Sequence, residues 1–355
     1  MVMLAIYKIF IPNPADVTAI YLGVWMLVLY LGYTMLSIAH NSWGSFLADD
    51  YDERSRLFGW REIFIIIGMI FVLAIPATMD FFGQSSTHNK VAGMGLFCLI
   101  LFPLTVIPTL VAVPDKVAER SEALGWQDMT GLLRSNPILW RLLTADFTTS
   151  FAVSATAALY IFFATYAFEL QNHASLALLL YFVAGFLAMP AWLKLAYRMG
   201  KVGAIKLAMG YTMVLQGGLF FVTEPGNVVL FWSYTFLAGL AFGATPTLLH
   251  SMMADLTDID ELKTGQKRAG MYFALLATIN KLGGAVAVGV TLTAADKLFN
   301  FTPGAANSQA AIDGLLLIFC FAPAAALAMT YLPLFRYPLT KERHAEIRRS
   351  LSAEQ

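Results

Sequence analysis

The chain has 355 residues, of which 58% are apolar or aromatic and 13% charged, with 23 basic and 23 acidic side chains and no formal net charge. A soluble domain carries about a quarter charged residues, so this composition excludes a nucleic-acid binder, a disordered chain and an ordinary cytosolic enzyme. Cys98 and Cys320 both lie in apolar runs and read as small packing residues, with neither a disulfide nor a metal role expected.

Residues 1–11 form an apolar stub, too short to cross about 30 Å of hydrocarbon. The stub has neither the basic start nor the small-residue cleavage site of a secretory signal. Nine full spans are expected after it, at 18–47, 62–82, 91–113, 138–168, 174–196, 202–222, 228–253, 270–295 and 312–335. The fold class is therefore an all-α polytopic membrane protein.

The second half of the span 18–47 is polar. Tyr33, Ser37 and Asn41 recur at i, i+4, i+8, and Thr34, Ser37 and Asn41 at i, i+3, i+7, along one face of a helix. Such a stripe is expected to face a watery cavity, with helix packing through small hydroxyl residues as the plainer alternative. His40, in the same stretch, reads as a hydrogen-bonded structural histidine. Arg61 and Glu62 open the next span; Glu62 reads as an interfacial anchor and Arg61 as a group able to turn inward. Asp146 sits about eight residues into its span, as a gate pair, a helix-end partner for Arg141, or a substrate ligand. In the span 228–253, Gly239 and Gly243 have small-xxx-small spacing suited to packing, and Pro246 is expected to kink the helix. Lys281 follows Asn280 and precedes Gly283-Gly284. It lies about 15 Å into its span, near the membrane midplane, where neither interface is in easy reach.

Basic residues set the orientation. Nineteen of the 23 lie in alternate loops, and the opposite loops hold only Lys8, Lys90 and Lys297. By the positive-inside rule the C-terminus is expected in the cytoplasm and the N-terminus outside. The polar stretch 114–137 ends at Asn136-Pro137, a turn signal, and reads as a cytoplasmic linker. It separates a helix bundle at 1–113 from a six-helix bundle at 138–335, and residues 336–355 form a basic tail.

An internal repeat supports two bundles. Asp50, Asp52 and Glu53 recur as Asp258, Asp260 and Glu261 at an offset of 208, and Arg61 recurs as Arg268 at 207. Both sets fall in loops expected on the cytoplasmic side, five spans apart. Two parallel six-helix repeats are the signature of a major facilitator-type fold. On that frame the N-terminal bundle is incomplete, lacking two helices and most of a third. A sequence begun too late or a true truncation is the expected explanation, and a truncated chain is expected to show no coupled uptake. No P-loop, HExxH, GxSxG or CxxC motif appears, so no enzyme activity or ATP-driven pumping is expected.

The run Tyr33-Thr34-Met35-Leu36-Ser37-Ile38, with Asp50-Tyr51-Asp52-Glu53-Arg54 and Arg61, resembles the fourth helix and following loop of the glycoside–pentoside–hexuronide:cation symporters. This is the melibiose permease-like branch of the major facilitator superfamily. Ala254-Asp255-Leu256-Thr257-Asp258, through Lys263-Thr264-Gly265 and Arg268 to Asn280-Lys281-Leu282-Gly283, resembles its tenth-to-eleventh-helix region. The resemblance implies symport of a sugar or similar small polar solute with Na⁺ or H⁺ by alternating access. It gives Lys281 the family's eleventh-helix lysine role and Arg61 that of an arginine near the sugar. Ser37 departs from the family by replacing a fourth-helix aspartate, and Pro246 stands about where a sugar-stacking tryptophan occurs.

The expected solute-binding set is Lys281, Arg61, Ser37, Tyr33, Thr34, Asn41, Asn280 and Asp146. The expected gating set is Asp50, Asp52, Glu53, Arg54, Asp258, Asp260, Glu261 and Arg268. No metal site, no organic cofactor and no nucleic acid are expected. The protein is expected to work as a monomer in a bacterial inner membrane. A transporter of an amphipathic lipid is the alternative.

Overall fold

The computed structural model describes residues 1–12, 17–47, 51–83, 86–113, 131–133, 136–264, 269–335 and 337–338. Their regular secondary structure is helical, and the chain falls into two compact units, Met1–Ala123 and Leu124–Gln355. The first holds α1 (Val2–Phe10), α2 (Ala19–Leu47), α3 (Tyr51–Phe81) and α4 (Thr87–Ala112). The second holds α5 (Pro137–Phe162, continued by a π turn over Phe163–Ala167), α6 (Ala174–Met199), α7 (Lys201–Val222), α8 (Val228–Leu240), α9 (Ala244–Thr264), α10 (Ala269–Phe299) and α11 (Gln309–Leu334). Among the described residues, eight stretches are long and apolar enough to cross a membrane. The remaining expected span, 62–82, is the C-terminal part of α3, where the apolar stretch Ile67–Phe81 is shorter.

The stub α1 does not span. It packs on α2 and α4, and glycines make room for it: a Cβ on Gly95 would lie 2.3 Å from Cβ of Phe10, and one on Gly32 2.7 Å from Val2 Cγ2. The Tyr21 hydroxyl donates to the Lys8 carbonyl at 2.9 Å, tying the stub to α2. Lys90 of α4 pairs with Asp80 near the end of α3, across the connection between them.

In the second unit α5 is the central element, packed against α9, α10 and α11. Its start follows from local chemistry. Asn136 accepts hydrogen bonds from the backbone of Ile138 and Leu139 at 3.2 and 3.1 Å, and Pro137 takes the first helical position, where no N–H is needed. Two apolar clusters hold the unit. One gathers Leu139, Leu142, Leu143, Tyr272 and Leu276. The other is aromatic, with Phe163 and Phe319 stacked at a centroid distance of 4.0 Å and Phe168 and Phe231 against them.

Two expectations change. The span 228–253 is broken, not kinked at Pro246: α8 ends at Leu240 and α9 starts at Ala244. The break turns on Gly243, whose φ of 78° is open to glycine at little cost. Pro246 is the third residue of α9, inside the first turn, where its missing N–H costs nothing. Gly243 therefore serves the turn, while Gly239 serves packing: a Cβ there would sit 2.2 Å from the Tyr181 carbonyl oxygen of α6. Second, the described residues of the two acidic clusters are helical, not in loops. Asp52 and Glu53 lie in the first turn of α3, and Asp258, Asp260 and Glu261 in the last turns of α9. Polar side chains do not stop a helix, so α3 starts well before its apolar stretch and α9 runs past its own.

Gly239→Leu is expected to force α6 and α8 apart and to cost at least about 1–3 kcal/mol, read as a lowered thermal midpoint in detergent. Gly217→Leu, whose Cβ meets nothing within 4 Å, should leave the midpoint unchanged. Equal midpoints for the two variants would refute the close α6–α8 crossing.

Candidate functional site

The polar groups of the second unit concentrate where α5 meets α10 and α11. Asp146, Thr148, Thr149 and Ser150 are all buried on α5, and Asp146 is 1% exposed. Two glycines on α10 make this possible. A Cβ on Gly283 would lie 2.7 Å from the Phe147 carbonyl oxygen, and one on Gly284 3.0 Å from Ser154 Oγ. With the backbones this close, the turn before the glycines lies over Asp146. The Ser150 hydroxyl donates to the Asn280 carbonyl at 2.6 Å. The Asn280 side chain of α10 and His250 of α9 are the polar groups that act on the Asp146 carboxyl group. On the α11 side, the Thr148 and Thr330 hydroxyls share a hydrogen bond at 2.7 Å.

His250 is oriented by its own helix. Its Nδ1 lies 2.8 Å from the Pro246 carbonyl oxygen. A carbonyl only accepts, so Nδ1 carries the proton and Nε2 is the lone-pair nitrogen of the neutral ring. Lys281, next to Asn280, is exposed at mid-helix on α10.

The structure thus brings Asp146, Asn280 and His250 together, with Lys281 adjoining. Asp146 finds its side-chain partner across the interface in Asn280, not in Arg141 on its own helix. In the first unit, α2 carries Tyr33, Thr34, Ser37, His40 and Asn41 on a continuous helix. Tyr33 is 57% exposed, Ser37 is half-buried, and the Thr34 hydroxyl is turned back to the Tyr30 carbonyl at 2.7 Å. Asp260 is buried and its carbonyl accepts from Thr264 Oγ1 at 2.7 Å. Asp50 and Arg268 lie outside the described residues. Asn41, Asp52, Glu53, Arg54, Arg61, Asp258 and Glu261 are placed by their backbones alone.

Three features were not anticipated. His250 and Thr149 carry no motif, and only the neighbours brought by the fold make them notable. Lys201 at the start of α7 pairs with Asp255 of α9 and also donates to the Ser251 carbonyl at 3.4 Å. Fifty-odd residues separate these partners, so no sequence spacing signals them.

The family described as MFS/sugar transport protein matches residues 1–341. The chain belongs to this family. An uncharacterized symporter of Synechocystis is 31% identical over 80% of this chain, which spans 56% of that relative's length. A sphingosine-1-phosphate transporter of Xenopus tropicalis is 24% identical over 91% of the chain and 70% of its own length. A raffinose carrier protein of Pediococcus pentosaceus is 23% identical over 85% of the chain and 48% of its own. Against some of these curated relatives the chain thus spans only about half of their length. Membership makes this a multi-pass membrane protein of a family of transporters, not of enzymes.

The Lys201–Asp255 pair is partly solvated, so its worth to stability is expected to be small, about 0–1 kcal/mol. A double-mutant cycle of Lys201→Met and Asp255→Asn, read by thermal unfolding, should give a coupling in that range. A coupling several times larger would show the pair to be withdrawn from water.

Proposed function

We propose that this protein is a cation-coupled secondary transporter of a sugar-like or other small polar solute, working by alternating access. The observation that carries the reading is the polar constellation Asp146–Asn280–His250, with Lys281 beside it, set within stretches long and apolar enough to cross a membrane. Ionisable groups at that depth are costly and persist where they bind solute or ions. The family supports transport, and two relatives named as a symporter and a raffinose carrier support symport of a sugar.

In this reading the Lys281 ammonium donates to solute hydroxyls or balances a carboxylate. Asn280 and Asp146 complete the polar wall in the second unit. Within the first unit, Tyr33, Thr34, Ser37, Asn41 and Arg61 are the solute-binding residues in this reading. The coupling ion is Na⁺ or H⁺. Asp50, Asp52, Glu53 and Arg54 of the first unit, and Asp258, Asp260, Glu261 and Arg268 of the second, serve as gating residues on the cytoplasmic side. The protein acts as a monomer in a bacterial inner membrane with its C-terminus in the cytoplasm; the nineteen-to-three distribution of basic residues supports that orientation. A second reading, transport of an amphipathic lipid, is favoured by the relative named as a sphingosine-1-phosphate transporter.

The test is a solute screen in membrane vesicles carrying the protein, with and without a Na⁺ gradient and a pH gradient. Uptake of a sugar, lowered at least tenfold by Lys281→Ala at equal expression, supports the reading. Unchanged uptake in Lys281→Ala removes Lys281 from the site. Competition by lysolipids and not by sugars selects the lipid reading. Neutralising Glu53 and Arg54 is expected to change the rate of uptake, and an unaltered rate would count against the gating role.

A further inference from the structure

The Asp146 carboxyl group is under-satisfied: its Oδ2 is buried and has no hydrogen-bond partner among the described residues, while the Asn280 side chain acts on the group from α10. One turn along the same face of α5, the buried Thr149 hydroxyl oxygen is in the same condition. A carboxyl group this deep is stable in two states, protonated or ionised beside a cation.

The surrounding oxygens decide between the two. The Ser150 hydroxyl is committed to the Asn280 carbonyl, and Thr148 and Thr330 to each other. Among the described residues, the buried side-chain oxygens left without a partner here are Asp146 Oδ2 and Thr149 Oγ1. Hard metal cations take about six oxygen ligands, whereas a proton needs one. Among the described residues, no group of three or more His, Cys, Asp or Glu side chains suited to a metal ion occurs. The elements packed against α5 offer few charges here. α9 contributes His250, and α10 contributes Asn280 followed by Lys281. At this level α11 contributes only Thr330, and α5 itself carries Arg141 more than a turn away. His250 is exposed, and its Nε2 holds a lone pair, because Nδ1 is committed to the Pro246 carbonyl.

We propose that Asp146 is a proton-binding site of this protein, loaded through His250 and communicated to α10 through Asn280. This rests on the reading of cation-coupled transport and selects the proton as the ion. A proton from water passes by way of His250 Nε2 to Asp146 Oδ2, turning the carboxylate into a carboxylic acid with no other bond changed. The neutral acid holds the Asn280 amide less strongly than the anion does. Asn280 adjoins Lys281, so loading and release of the proton shift the position of a neighbouring solute-facing group.

The direct test is pH-difference infrared spectroscopy of the purified protein in lipid, between about pH 5 and pH 9. The wild type should show the carbonyl band of a protonated carboxyl group, shifted by ¹³C-labelled aspartate. Asp146→Asn, which keeps the shape and an acceptor for Asn280, should lose it. His250→Gln should slow the appearance of the band after a pH jump at least tenfold without removing it. A band that survives in Asp146→Asn overturns the assignment. So does a band titrated away by sodium at constant pH, which would make this a sodium site. Infrared titration does not depend on transport. A band present in a protein that moves no solute keeps the proton site and rejects the transport reading. Solute uptake driven by a pH gradient with no Asp146 band keeps the transport reading and rejects the site.

Discussion

The close crossing of α10 over α5 is the contact on which the second unit depends. Gly283 places backbone where any side chain would collide with the Phe147 carbonyl, and Gly284 sits where a side chain would crowd Ser154. In lipid the apolar surfaces of two helices gain little by meeting, since hydrocarbon surrounds them anyway; close van der Waals approach and interhelical hydrogen bonds supply the attraction. The glycine pair provides the first, and the Ser150–Asn280 hydrogen bond the second. The same approach carries Asn280 onto Asp146, so one packing device both joins the helices and assembles the polar site.

Glycines act in two different ways elsewhere in the unit. Gly239 lets α6 and α8 touch, as Gly283 does for α5 and α10. Gly243, four residues on, is a turn residue, and the span it interrupts becomes α8 and α9. Broken membrane helices leave backbone groups that neighbouring structure must satisfy. Here Phe242 N–H donates back to the Gly239 carbonyl at 2.8 Å, and the Trp192 indole donates to the Leu240 carbonyl at 2.6 Å. The break also gives α9 its own direction, and on α9 His250 is held by the Pro246 carbonyl one turn earlier. Pro246 thus contributes an acceptor to the site rather than a bend to the helix.

Much of this architecture was legible from residue order because a membrane imposes a simple rule: about twenty apolar residues for each crossing. The helix positions followed, as did the α5 start at Asn136-Pro137 and the stub at residues 2–10. Helix ends were less legible. The acidic clusters at 52–53 and 258–261 were expected in loops because they are charged, yet charge only takes a helix out of the lipid and does not unwind it. Within the site, Lys281 and Asp146 stood out as charges inside apolar runs. Asn280 gained its role only through the glycines beside it, and His250 and Thr149 gained theirs only through their neighbours.

Sequence by itself determined that the chain is a many-spanning helical membrane protein, where its apolar stretches lie, and which ionisable groups fall inside them. These follow from transfer energetics, which act residue by residue. The tertiary structure alone decided that Asp146 pairs with Asn280 rather than Arg141, that Lys201 finds Asp255, and that Gly243 turns the chain while Gly239 packs it. Such pairings join residues dozens to more than a hundred positions apart, or depend on a single backbone dihedral. Both are set by how the helices fit together, which no local pattern of side chains encodes.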